Sequence, residues 1–419
     1  MLFYLVPLTV SICAYPLVTA FGVQSCPPLP KRDPPTSVHD LRPDDIKVIG
    51  AIGDSITAGL LAKNIDTEYA TLKDIREYRG LSGFMGVSEG TVSVANYIKH
   101  YSPYLVGGSD GTEQLPICPG IAKEYSDSSE NNTMISNVKK FIDTFFCLDA
   151  HHNPQIDHLN AAISSASSKS IDEQVDYLVK YIGRGTAAAD DWKLVNVFLG
   201  TNDVAASCLP GFDMVSYRNR MKAGIQRLID KVDKVLVNIV GIFHMENIPA
   251  ITKRHPDYRK PLIVNTGNNE TTIDLQDYEC VCRKMSLEAV EKLLTGKEHL
   301  AFLNSLTNKP AEEAAIYFLG LQVDLANTML REITAEFALT RNDRSAVVFQ
   351  PFNVAIDTVP VQALSNIDGY HPDILGQSFI GTSVWNQMFR PSSEKLSTIR
   401  FDEKLSAYCP KAEDRFQTA

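Results

Sequence analysis

Three stretches of this 419-residue chain hold residue types that could act together on an ester carbonyl. Gly53-Asp54-Ser55-Ile56 delivers a serine directly after the apolar run Ile46 to Ile52. Gly53 permits a tight turn, and a helix opening there would aim its first N–H groups at developing negative charge. Leu199-Gly200-Thr201-Asn202-Asp203 closes a second run, Leu194 to Leu199, and Asn202 could offer a side-chain N–H to an oxyanion. Asp368-Gly369-Tyr370-His371 comes late, ahead of the apolar helical stretch Ile374 to Phe389. A carboxylate three residues before a histidine can share its loop, fix the ring tautomer and leave the other nitrogen facing a nucleophile.

Taken singly, each stretch has a plainer reading. Asp54 or Ser55 could cap a helix, Asn202-Asp203 could be a turn, and His371 could be an exposed loop histidine. Together they supply nucleophile, oxyanion donor and oriented base. Chance produces that combination far less often than any one part.

The elements that must position them are legible as short Val- and Ile-rich runs, the form taken by buried parallel strands. These are Ile46 to Ile52, Leu159 to Ile163, Leu194 to Leu199, Val235 to Ile242 and Ala346 to Pro351. Helix-length segments lie between and after them at Ser170 to Ile182, Val215 to Val232, Ser286 to Leu294 and Ala311 to Ala338. Such alternation predicts an α/β fold, a three-layer α/β/α sandwich around a central parallel sheet of five strands. Sites in such sheets lie at the carboxyl ends of strands, which is where Ser55 and Asn202 fall.

Two rival sites carry less. Gly86-Val87-Ser88-Glu89-Gly90 has the spacing of a nucleophile elbow, yet the residues before it, Tyr78 to Met85, are not strand-like. His151, His152 and His158, with Asp149 and Asp157, match no established ligand spacing, so no metal is expected.

Composition bounds the partners and the compartment. A formal net charge of −10 without a basic stripe argues against nucleic acid. The first 30 residues are uncharged, and Met1 to Ala20 reads as a secretory signal peptide ending in Val18-Thr19-Ala20. No later stretch is apolar for long enough to span a bilayer, so no transmembrane helix is expected in the mature chain. Removing Cys13 with the signal leaves seven cysteines, Cys26, Cys118, Cys147, Cys208, Cys280, Cys282 and Cys409, an odd number suited to an oxidising destination. Asn131 and Asn269 open glycosylation sequons. The expected organisation is a signal over 1–20, an extension over 21–40, a hydrolase domain over 41–395 and a tail over 396–419.

The three blocks resemble those of the GDSL or SGNH hydrolases, and in particular their animal phospholipase B branch. The likeness runs from about Leu41 to about Phe389 and takes in Tyr78-Arg79-Gly80-Leu81-Ser82, Leu159-Asn160-Ala161-Ala162-Ile163-Ser164, Asp191-Trp192-Lys193 and Gly376-Gln377-Ser378. It implies a flavodoxin-like SGNH fold, a triad of Ser55, His371 and Asp368, and an oxyanion hole from the N–H groups of Ser55 and Ser165 with the Asn202 amide. It implies no cofactor. The substrates it suggests are acyl esters of phospholipids and lysophospholipids, met at a membrane or micelle surface. Other carboxylic esters, or ligand binding by an inactive secreted protein on the same fold, are the competing expectations.

Two residues depart from the family pattern. Ser165 stands where the family usually has the glycine whose N–H meets the oxyanion. Ala205 stands where phospholipase B sequences tend to have a cysteine, which is expected to leave Cys280 or Cys282 without a partner.

Overall fold

The near-continuous apolar runs are needed because both faces of the sheet are covered. In the computed structural model, residues 22–418 are described except 24, 116–151, 210–211, 267–268, 280, 295 and 306–309. The expected signal peptide, the Asn131 sequon, Cys118, Cys147, Cys280 and His151 lie outside the described residues. Four strands, β1 (Ile46–Gly53), β2 (Trp192–Phe198), β3 (Val235–Val240) and β6 (Ser345–Gln350), form one sheet in that spatial order, and every pairing is parallel. All of β2 and β3 is buried, as parallel strands sandwiched between helices must be.

Helices among the described residues include α1 (Ser55–Ala58), α2 (Val94–Tyr101), α3 (Ile171–Ile182), α4 (Thr201–Ala205), α5 (Met214–Lys231), α6 (Gln276–Glu279), α7 (Leu287–Leu293), α8 (Ala311–Ala338) and α9 (Ile374–Met388). α5 packs between α3 and α8, while α2 packs against α9. The result is the expected three-layer α/β/α arrangement, with the predicted long helices within a residue or two of their sequence bounds.

The expected fifth strand, Leu159 to Ile163, is not a strand of the sheet. Its place beside β1 is shared by two short segments. Val106 exchanges backbone bonds with Lys47 and Ile49, each at 2.9 Å, and Leu159, Ala161 and Ile163 then continue along Ala51 and Gly53. The two segments meet at Gly107, which has φ +110° and whose added Cβ would lie 2.0 Å from the Ile49 carbonyl oxygen. Only glycine allows that approach. One edge position divided between two stretches leaves neither long enough to pair as a regular strand.

An antiparallel hairpin of β4 (Leu262–Thr266) and β5 (Asn269–Ile273) lies between β3 and β6 in the chain and forms a sheet of its own. Asn269, the second sequon, opens β5. The hairpin residues Leu262, Val264 and Ile273 form a small separate core with Leu60, Leu61, Ala70, Ile75, Leu275 and Ile367. Ile367 adjoins Asp368, so this core supports the loop that bears the histidine.

Residues before 41 and after 395 pack onto the sandwich. Trp192 donates its indole N–H to the Pro35 carbonyl at 3.2 Å, Phe416 is buried, and Cys26 is disulfide-bonded to Cys409. Among the described residues no helix is long and apolar enough to cross a membrane.

Candidate active site

Ser55 opens α1 two residues beyond the end of β1. The turn is tight because a Cβ on Gly53 would lie 2.3 Å from Thr57 Oγ1, so only glycine lets α1 fold back onto the strand. Asp54 caps α1, its Oδ1 accepting from the Ile56 N–H at 3.0 Å. Its other oxygen accepts from the Thr201 hydroxyl, which ties the serine turn to the start of α4. Burial pushes the Asp54 carboxyl up to about 6 despite those bonds.

The late loop arrives over this turn. Ser55 Oγ and His371 Nε2 are 2.8 Å apart, and His371 Nδ1 lies 2.5 Å from Asp368 Oδ2. Asp368 Oδ1 accepts from the N–H groups of Tyr370 at 2.9 Å and His371 at 3.2 Å, so the carboxylate is fixed before it orients the ring. Asp368 is fully buried and His371 nearly so. Burial disfavours the imidazolium, but the neighbouring carboxylates of Asp368, Glu279 and Asp54 outweigh it and push the ring up to about 9.

Ser165 is exposed and lies in the left-handed region at φ +64°. That conformation explains why glycine suits this position and why a serine there carries strain. The Asn202 side chain donates one N–H to the Ala166 carbonyl at 2.9 Å, which links the Leu199–Asp203 block to the segment bearing Ser165 and leaves its amide a second N–H. Asp203, its neighbour, is occupied structurally: it accepts from the Ser168 N–H at 2.7 Å and hydroxyl at 2.6 Å.

Against the segment Asn160–Ser164 lies a charged network that the sequence did not assign. Arg79 is buried, with Glu77 at 2.7 Å and Asp157 at 3.0 Å as counter-ions. Its guanidinium also donates to the carbonyls of Asn160 at 3.1 Å and Ala162 at 2.9 Å, while the Ser164 hydroxyl donates to Glu77 at 2.5 Å. The Tyr78-Arg79-Gly80 motif therefore acts as a clamp on the backbone leading to Ser165. Gln377 serves α9 similarly, accepting from the Gly83 N–H and donating to the Ile56 carbonyl at 3.0 Å.

The described residues of the two rival sites are engaged in other contacts. Ser88 sits in a run of turns, with its hydroxyl bonded to the Asp110 carboxylate. His152 stacks on Tyr177 and faces Asp157, which already serves Arg79. Among the described residues, one group of possible metal ligands converges: Glu279, Asp368 and His371, with ligand atoms within 4.8 Å of one another. Two of these already bond each other, and a cation there would have to break the Asp368–His371 contact.

Cys208, just past α4, is disulfide-bonded to Cys282. The absence of a cysteine at position 205 therefore does not orphan Cys282, because a cysteine three residues later takes that partner. Of the two candidates for a missing partner, Cys280 is outside the described residues.

A doubly wound parallel sheet presenting a Ser–His–Asp series at its strand ends defines an α/β protein of the SGNH architecture. The chain belongs to the GDSL-like Lipase/Acylhydrolase family, whose pattern matches residues 49–384. It is 26% identical over 398 residues to human "Phospholipase B1, membrane-associated", covering 91% of this chain and 22% of that protein. The rat protein of the same name is 25% identical over 401 residues, covering 92% and 22% respectively. The chain thus spans about a fifth of the length of these curated relatives.

Proposed function

We propose that this chain is an exported serine hydrolase that cleaves carboxylic esters, chiefly the acyl esters of phospholipids and lysophospholipids at a membrane or micelle surface. The observation that carries this reading is the unbroken hydrogen-bond series from Ser55 through His371 to Asp368. Ser55 Oγ attacks the ester carbonyl while His371 Nε2 takes its proton. The N–H groups of Ser55 and Ser165, with the free N–H of the Asn202 amide, stabilise the tetrahedral oxyanion. His371 then protonates the leaving alcohol, and water, activated by the same ring, releases the fatty acid. Asp368 stays ionised throughout and holds the ring. The similarity to phospholipase B proteins supports the lipid substrate, and the two disulfides support an oxidising compartment.

A fluorophosphonate probe tests the nucleophile. Wild-type protein should be labelled at Ser55, and Ser55→Ala and His371→Ala should each abolish both labelling and ester turnover, since the two act as a unit. Ser88→Ala should leave both intact. Assays on phosphatidylcholine micelles, lysophosphatidylcholine and soluble short-chain esters then fix the substrate class. Loss of labelling in Ser88→Ala, or its persistence in folded Ser55→Ala, would sink the assignment.

A further inference from the structure

A second carboxylate reaches the base from a different element. α6 lies in the insertion between β3 and β6 that also carries the β4–β5 hairpin. Gln276 and Glu279 are three residues apart and so share a helix face. Gln276 Nε2 donates to the Gly369 carbonyl at 2.9 Å and to Thr252 Oγ1 at 2.9 Å, fastening α6 to the turn that bears His371. On that face Glu279 Oε1 lies 3.9 Å from His371 Nδ1, the nitrogen that Asp368 also holds. The Glu279 side chain is 27% exposed, so water screens it only in part.

We propose that Glu279 is a positioning residue for the base: a second carboxylate that stabilises the His371 imidazolium and can hold its Nδ1–H when Asp368 is removed. The proposal rests on the assignment of His371 as the base. When Ser55 gives its proton to Nε2 and its oxygen bonds to the substrate carbonyl, positive charge appears on the ring. Asp368 from its own loop, Glu279 from α6 and Asp54 from the cap of α1 then surround it. Nearby Arg259 lies against Gly369 but is paired with Asp274, and Asp373 is directed to Asn64 at 3.3 Å. Burial pushes the Glu279 carboxyl above its ordinary range, and the charge of His371 draws it back down.

The sign follows. An ionised Glu279 favours the protonated ring, so removing its charge lets His371 lose its proton at lower pH. Only the neutral ring can accept the Ser55 proton. Turnover should therefore fall as pH drops through the His371 titration, and in Glu279→Gln that fall should come roughly 1–2 pH units lower.

Two readouts keep the outcomes separate. Imidazole NMR of His371, in full-length protein carrying Ser55→Ala, follows the ring without turnover. The pH profile of kcat/KM on a soluble ester follows its use. Both should move down together in Glu279→Gln, with kcat affected more than KM, and Glu279→Asp should keep part of the original position. An unmoved NMR titration in folded Glu279→Gln overturns the proposal while leaving the triad standing. A moved titration with an unmoved rate profile shows that the ring is not the base, and both readings fall. Asp368→Ala should lose activity, and Asp368→Ala/Glu279→Gln should fall at least tenfold further. Equal rates for those two variants would overturn the standby role.

Discussion

Ser165 is where the chemistry and the backbone make different demands. Its N–H is the expected oxyanion donor, and its φ of +64° is a conformation that a side chain resists at about 1–2 kcal/mol. Ser165→Gly should therefore keep or raise turnover and hold or raise thermal stability, because the donor stays and the strain goes. Ser165→Pro loses the N–H and also cannot adopt a positive φ, so a cost on the order of 10²-fold or more would combine both effects. Ser165→Val separates them, since it keeps the N–H while disfavouring the turn. Turnover on one soluble ester should rank glycine at or above serine, then valine, then proline. A folded Ser165→Pro with undiminished turnover would remove this residue from the oxyanion hole. At this scale the hydrogen-bonded series of Ser55, His371 and Asp368 was legible because each member flanks an apolar run. Glu279 was not, because a single acid in a polar insertion carries no periodic or spacing signal.

Among the elements, the segment from Leu159 to Ser165 depends on a clamp as well as on its few bonds to β1. Leu159 to Ile163 has the composition of a strand, but Val106 takes part of its edge, and a run as short as Leu105-Val106 before Gly107-Gly108 gives no readable strand. The other side of that backbone, at the Asn160 and Ala162 carbonyls, is held by Arg79. Arg79→Ala would leave Glu77 and Asp157 buried without their cation and should destabilise the fold by about 3–5 kcal/mol. Ser164→Ala removes only the hydroxyl bond to Glu77, at about 1–2 kcal/mol. It should lower kcat more than KM, because it loosens the approach to Ser165 without touching the substrate. Calorimetry and steady-state kinetics on the pair check this, and a Ser164→Ala enzyme with unchanged kcat would reduce the clamp to a stabilising role. The long helices were readable from length and apolar content. The hairpin was overlooked although Leu262-Ile263-Val264 ahead of Gly267-Asn268 is a run followed by turn residues.

For the molecule as a whole, the order of strands and helices was legible because burial on both faces imposes a composition that loops do not share. The joins between distant parts were not, since cysteine pairing cannot be read from spacing. The bond between Cys26 and Cys409 spans 383 residues and closes the chain between them into one covalent loop. A protease that cuts once in any exposed turn inside that loop would leave one covalent molecule instead of two pieces. The nicked protein should migrate as a single band without reductant and divide only after thiol treatment. In Cys26→Ser/Cys409→Ser a nick outside residues 208–282, which the Cys208–Cys282 bond does not bridge, should release fragments under both conditions.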